Sequence, residues 1–225
     1  SLSGNGQGEG AIRSMSGTLY VVATPLGNLE DVTLRALRVL KEVAVIACED
    51  TRRTRILLSH FGIHAPVTSY FEHNKLRKGA RLIETLEHGQ SVALVTDAGT
   101  PGISDPGFLL VKQARVAGVP VVAVPGPSAV VTALSAGGGL PDRFVFDGFL
   151  PVKPGRRVHR LEGLRDLEMT VVCYESPHRI LPALDAIAQV FGEREIVVAR
   201  ELTKQFEEIV RGSAATLKAR FEAGP

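Results

Sequence analysis

Short β-branched runs recur along this chain with helix-patterned stretches between them, and that alternation restricts the fold more than any other feature. The runs are TLYVVAT (18–24), VAVIAC (43–48), SVALVT (91–96), VPVVAVP (119–125), RFVFDGF (143–149), EMTVVCYE (168–175) and REIVVARE (194–201). Between the early ones, LEDVTLRALRVLKE sets Val32, Leu34, Leu37 and Leu40 near helical spacing. LRKGARLIETLEHG and DPGFLLVKQARVAG follow the same pattern and end in Gly, a common helix stop. Near-continuous apolar strands separated by amphipathic helices predict mostly parallel sheets covered on both faces. The fold class is therefore α/β. A boundary is expected around AVPGPSA (123–129). Four strand–helix units precede it; longer, more charged strands follow, and ARELTKQFEEIVRG reads as two strands joined by a turn. This predicts two α/β domains, 16–125 and 126–225, with a ligand cleft between them.

Composition removes several function classes. The 225 residues are 44% hydrophobic and 22% charged, as in a globular enzyme, and no apolar run approaches the roughly 18 residues of a membrane span. A net charge of +2 excludes a globally basic nucleic-acid coat but leaves room for local basic patches. The opening SLSGNGQGEGAIRSM has no apolar h-region, so it is no secretory signal; it reads as a disordered leader or a vector remnant, with native-like sequence from near Met15. Cys48 and Cys173 each end a strand-like run without metal-type spacing, which points to free buried thiols in a reducing cytoplasm. The six histidines form no HExxH or Cys/His cluster, so no metal is expected.

The chemistry should sit in the loops beyond the carboxyl ends of the strands. There the chain carries ATPLGNLEDVTL, TDAGTPGISDPG, PGPSAVVTAL, YESPHR and ARELTK. Gly and Pro at such places let backbone amides and carbonyls approach a ligand. Any one Gly-Pro pair reads equally as a tight βα turn, but several at one sheet edge, one of them long, point to function. A dinucleotide-binding oxidoreductase is one reading: Gly27 follows a strand, and Glu49 and Asp50 lie where a ribose-binding acid would stand. TPLGNL, however, has one glycine and a proline where G-x-G-x-x-G is required.

VVATPLGNLEDVTLRAL, EDTRRT, DAGTPGISDPG, PGPSA, YESPHR and ARELTK, taken in order, resemble the tetrapyrrole-methylase superfamily from about Thr18 to Gly212. Small-molecule members typically carry a G-x-G-P-G-D first loop and a shorter G-G-D-P third loop, and neither is written here. The resemblance is closest to the branch that methylates the ribose 2′-hydroxyl of a decoding-centre cytidine in small-subunit ribosomal RNA with S-adenosylmethionine. It implies a cytoplasmic homodimer of two-domain subunits with the cofactor in the interdomain cleft. The partner would be small-subunit RNA or the assembled small subunit, with neither DNA nor membrane. It implies contacts to the methionine part and ribose from Asp97, Ala98, Gly99 and Ile103, with Ser128 and Ala129 lining the same pocket. Tyr174, Glu175 and Ala199 would close over the adenine, and Pro25 would stand on the methyl-donor side. The second domain is expected to lack the tail with which the family commonly continues. A tetrapyrrole or other small-molecule methylase, a knotted-fold RNA methylase and a non-catalytic RNA-binding assembly factor are the alternatives.

Methyl transfer from a sulfonium is an in-line displacement in which the cofactor carries the reactive group and the protein supplies position and environment. Holding donor and hydroxyl in line contributes roughly 7–11 kcal/mol. A ribose hydroxyl also needs a base or a stabilising cation. CEDTRRTR offers Glu49, Asp50 and Arg52, with Arg53 and Arg55 behind them; the structural alternative is a helix start with Asp50 or Thr51 as N-cap. RELTK offers Lys204, either a stabiliser of oxyanion charge or a surface lysine in a hairpin. Arg179 is a candidate for RNA or for capping a carboxylate across the domain interface. Lys75, Arg77, Lys78 and Arg81, and Lys153, Arg156, Arg157 and Arg160, form basic runs that would bind RNA or simply face solvent.

Overall fold

The computed structural model describes residues 16–71, 73–105, 107–138 and 142–224; the expected leader at 1–15 lies outside the described residues. The chain divides into two units. One takes the chain up to Val22, Leu34–Asp97 and Pro106–Val124; the other takes Ala23–Thr33, Ala98–Asp105 and the chain from Pro125 onward. The sequence boundary near 125 therefore misses two earlier crossings. Loops 23–33 and 98–105 belong with the second unit because they bond to each other and to residues beyond 125, as described below.

The first unit is a parallel sheet of β1 (Leu19–Val22), β2 (Val45–Cys48), β3 (Val67–Ser69), β4 (Val92–Leu94) and β5 (Val121–Val124), in the order β3-β2-β4-β1-β5. Leu19, Ile46 and Val92 are fully enclosed, as expected for strands covered on both faces. Helices α1 (Leu34–Glu42), α2 (Thr51–His60), α3 (Lys75–Glu87) and α4 (Gly107–Val116) connect the strands. α1 buries Ala36, Val39 and Leu40, and α4 buries Gly107, Leu110 and Ala114, the spacing of one helical face. Leu86 and Leu110 reach zero exposure in the same core as Tyr70, each contributing roughly 1.5–3 kcal/mol of burial. β3 has no counterpart among the apolar runs, because three residues at a sheet edge carry no alternation.

Strand order fixes where chemistry belongs. From β1 the chain passes to β2 on one side, and from β4 it passes to β5 on the other, yet β1 and β4 are neighbours. This is a topological switch point, where ligands bind beyond the carboxyl ends of an open sheet. Loops 23–33 and 98–105 leave the chain just after those two strand ends.

In the second unit, α5 (Ala129–Ala136), β6 (Phe144–Phe149), α6 (Pro154–Glu162), β7 (Thr170–Tyr174), α7 (Ile180–Phe191), β8 (Glu195–Arg200), β9 (Glu208–Ser213) and α8 (Ala214–Glu222) follow in order. β6 and β7 pair in parallel, with an irregularity between Phe146 and Gly148; β8 and β9 form the antiparallel hairpin expected from ARELTKQFEEIVRG. Each ribbon has its own apolar cluster. Leu150, Leu161, Ala183 and Ala186 serve one, and Leu184, Ala214 and Leu217 the other, with Ile187 of α7 packed against both. A cavity of about 540 Å³ is lined by all five residues of β7 and by Glu195, Ile196, Val197 and Ala199 of β8. Among the described residues no helix is long and apolar enough to cross a membrane.

Candidate functional site

Three of the Gly/Pro loops are tied together within the second unit. Thr24 and Gly99 exchange backbone hydrogen bonds, Thr24 N–H to Gly99 O at 2.9 Å and Gly99 N–H to Thr24 O at 3.0 Å. Gly99 has φ +83°, and a Cβ there would stand 3.3 Å from Leu26 Cδ2. Thr100 Oγ1 donates to Pro127 O at 3.0 Å, carrying the linkage to PGPSA. Gly126 packs against Ala23, where an added Cβ would come within 3.0 Å of the alanine Cβ. The long loop is itself folded: Asp105 accepts from Gly102 N–H at 2.8 Å, and Ser104 takes φ +64°, a costly backbone for a non-glycine residue. Ile103 stands out 45% exposed at its tip, Ala98 is exposed, and Pro25 is buried.

Other expected binding residues line the cavity: Ala129, Tyr174, Glu175 and Ala199. Ser128 precedes α5 as its N-cap with extended backbone, and its side chain makes no capping bond to that helix. Tyr174 is held edge-on by Phe146 and Phe149, at 4.7 and 5.4 Å between centroids. Burial pushes its hydroxyl up, against the smaller opposing effect of the Val130 backbone N–H. Glu175 Oε1 accepts from Ser176 N–H at 2.7 Å and pairs with Arg179 at 2.6 Å, while Oε2 is buried and has no hydrogen-bond partner among the described residues. Arg179 thus caps a carboxylate four residues away in its own unit, not across the domain interface, and also reaches Leu150 O. Leu202, Phe149 and Phe191 line the cavity too. The sequence flagged the motifs around Leu202 and Phe149 without singling out either side chain.

Asp97 falls in the first unit, where it serves the strand–helix junction. Its carboxylate accepts from Asp50 N–H at 3.1 Å and lies 3.5 Å from Arg53. Asp50 is the N-cap of α2, accepting from Arg52 N–H at 2.8 Å and pairing with the Arg52 guanidinium at 3.0 Å. The Arg52 side chain foremost, and its backbone N–H next, hold the Asp50 carboxyl down to about 2. Glu49 accepts from Thr96 Oγ1 at 3.3 Å. Lys204 lies in the β8–β9 turn, its ammonium 3.0 Å from Glu201 and its stem against Gly27 of the first loop.

The residues of the basic runs face different surroundings. Arg157 is only 4% exposed and donates to Pro151 O and Val152 O at 3.0 Å each, which removes it from any RNA surface. Arg160 is paired with Asp147, and Lys78 donates to Thr68 Oγ1 at 3.1 Å. Arg156, Arg77 and Lys153 stay exposed.

The tetrapyrrole (corrin/porphyrin) methylases match this chain over residues 18–218. The chain belongs to that family. It is 53% identical over 195 residues to the ribosomal RNA small subunit methyltransferase I of Pseudomonas aeruginosa, covering 86% of this chain and 69% of that one. To the protein of the same name from Bacillus subtilis it is 48% identical over 201 residues, covering 89% and 69%. Among solved structures, it is similar to uroporphyrin-III-C-methyltransferase from Thermus thermophilus, with a TM-score of 0.65 and 22% identity over 93% of this chain and 90% of that one. It is also similar to cobalt precorrin-4 methyltransferase, with a TM-score of 0.68 and 19% identity over 92% and 89%. At such identities these two structures speak for the tetrapyrrole methylase fold alone. Methyltransferases of this family use S-adenosylmethionine. The second unit suits an adenosine: the cavity is of ligand size, Ala129, Ala199 and Leu202 offer apolar faces, and Glu175 Oε2 is a buried acceptor with no donor among the described residues.

Proposed function

We propose that this chain is an S-adenosylmethionine-dependent methyltransferase acting on the ribose 2′-hydroxyl of a cytidine in small-subunit ribosomal RNA. About half identity over most of the chain with proteins named ribosomal RNA small subunit methyltransferase I carries this reading. The likeness to tetrapyrrole enzymes, at 22% identity or less, supports the fold and carries no argument about the substrate. When bound, S-adenosylmethionine supplies an electrophilic methyl group on a sulfonium. The protein's part is to hold that group and ready the hydroxyl.

Loops 23–33 and 98–105 and the start of α5, joined through Thr24, Gly99, Thr100 and Pro127, would hold the methionine and ribose parts. Glu175 would accept from the adenine amino group or a ribose hydroxyl, and Tyr174, Ala129 and Ala199 would flank the ring. In the first unit, Asp50 is committed to its cap and to Arg52, and a carboxyl held near 2 is a weak base. The base role therefore goes to Glu49. Arg52, with its side chain 86% exposed, is suited to an RNA phosphate. A ribose hydroxyl as the nucleophile restricts the enzyme to RNA over DNA. We further place the protein in the cytoplasm as a homodimer, which light scattering after size exclusion would check.

Incubation with labelled S-adenosylmethionine and small ribosomal subunits, naked small-subunit RNA or a tetrapyrrole precursor tests the proposal. Label on the ribose of a single cytidine is expected. Label on the tetrapyrrole alone would sink it, and tight cofactor binding with no transfer would favour a non-catalytic assembly factor.

A further inference from the structure

We infer that Lys204 is the cation that meets the nucleophilic ribose oxygen, and that Gly27 is a glycine in order to seat it. The inference rests on the methyl-transfer reading above.

The turn between β8 and β9 is built at a cost that its own contacts do not explain. Glu201 and Thr203 both take left-handed backbone, at φ +51° and +67°. Glycine or asparagine would occupy such positions without strain, and a β-branched threonine is among the least suited residues. Thr203 Oγ1 is also buried without a hydrogen-bond partner among the described residues. The conformation is pinned by Thr203 N–H to Glu207 Oε2 at 2.6 Å and Lys204 N–H to Glu201 O at 2.9 Å. The ion pair between Lys204 and Glu201 does not offset this cost, because both side chains are about half exposed and such pairs contribute little. Strain kept at one place in this way marks a functional constraint.

What the turn achieves is the position of Lys204. Its methylene stem lies across Gly27, where an added Cβ would collide with Cγ and stand 3.0 Å from Cε. Gly27 is absent from the glycines with positive φ, so its backbone does not call for glycine; the lysine above it does. Gly27 lies three residues after Thr24, in the loop that Thr24 fastens to Gly99. The turn thus delivers a tethered ammonium to the first loop of the cofactor cradle, with Glu201 fixing its direction.

A cation there lowers the cost of charge on the ribose oxygen during transfer. The oxygen–carbon bond forms as the carbon–sulfur bond breaks, the bonding pair stays on sulfur, and the hydroxyl proton passes to the general base. Lys204 keeps its own proton throughout.

Four proteins decide the matter: the unaltered chain, Lys204→Met, Lys204→Arg and Gly27→Ala. Each is assayed for steady-state transfer to small ribosomal subunits, for S-adenosylmethionine affinity by calorimetry and for melting temperature. Lys204→Met keeps the stem and removes the charge. It should lower kcat about a hundredfold while leaving cofactor affinity, KM and melting temperature near their original values. Lys204→Arg should restore much of the rate. Gly27→Ala, which pushes an intact lysine off its seat, should reproduce the kcat loss with cofactor still bound. An unaltered chain that transfers label while Lys204→Met matches it overturns the inference alone. So does a loss of cofactor affinity that accounts for the whole rate defect. An unaltered chain that labels no RNA overturns the methyl-transfer reading itself, and the inference with it.

Discussion

Replacing Gly99 with alanine measures how firmly the cofactor loops are fixed. At φ +83° an L-residue pays about 1–2 kcal/mol for left-handed backbone. The new Cβ would also stand 3.3 Å from Leu26 Cδ2 and 3.7 Å from Pro127 O. The first distance is tight enough to shift a leucine methyl by a few tenths of an ångström, and the second is ordinary contact. Backbone strain is therefore the larger part, with a total near 2 kcal/mol. For a chain of this length that corresponds to a fall in melting temperature of roughly 4–8 °C. Gly118→Ala is the calibrating variant, since its φ of +71° carries a similar backbone cost and an added Cβ there meets nothing within 4 Å. Thermal unfolding of the two variants beside the original separates strain from contact. Because Gly99 exchanges two hydrogen bonds with Thr24, Gly99→Ala should also weaken S-adenosylmethionine binding, and the larger Gly99→Val should abolish it. Gly118→Ala should leave binding intact. A Gly99→Ala protein that melts within about 1 °C of the original and binds cofactor equally well would refute the left-handed bridge and the cradle built on it.

Glu49→Gln should slow methyl transfer by a hundredfold or more with cofactor affinity retained; full activity would leave positioning and desolvation as the main contributors. Arg157→Met should cost on the order of 1–3 kcal/mol in urea unfolding, by removing the charged donor that Pro151 O and Val152 O share, and should leave RNA affinity unchanged. Burial pushes the Cys173 thiol up to about 11, so at pH 8 its thiolate fraction is on the order of a hundredfold below that of a free cysteine. Alkylation should be slowed in proportion and should quicken as pH rises toward 11; labelling at the rate of a small thiol would contradict the burial.

Seven strands were readable from their apolar runs and an eighth, β9, as the second arm of the hairpin, and the parallel arrangement of the first sheet followed from helices between its strands. β3 was not readable, because Val67–Ser69 is too short to show a period. Strand order was not readable either, since neighbours such as β1 and β4 lie some seventy residues apart in the chain. For the site, resemblance supplied the loops, while their linkage through Thr24, Gly99 and Pro127 is long-range geometry that no local pattern encodes. Asp50 illustrates the ambiguity most directly: one aspartate before a helix is written identically whether it caps or catalyses. Arg157 makes the same point from the other side, because a basic run gives no sign of which arginine turns inward.

The second unit takes Ala23–Thr33 and Ala98–Asp105 from within the span of the first. No single cut in the polypeptide therefore separates the two units. A fragment ending near residue 124 would keep the Thr24–Gly99 pairing but lose the partners of those loops beyond 125, and one beginning at 125 would lack the strand-end loops that Pro127 and Lys204 meet. On the ribosome, Thr24 and Gly99 can pair once residue 99 has emerged, but Gly27 waits for Lys204, almost the whole chain later. Grafting of either unit onto another protein, or exchange of one between relatives, should succeed only when both crossings travel with it.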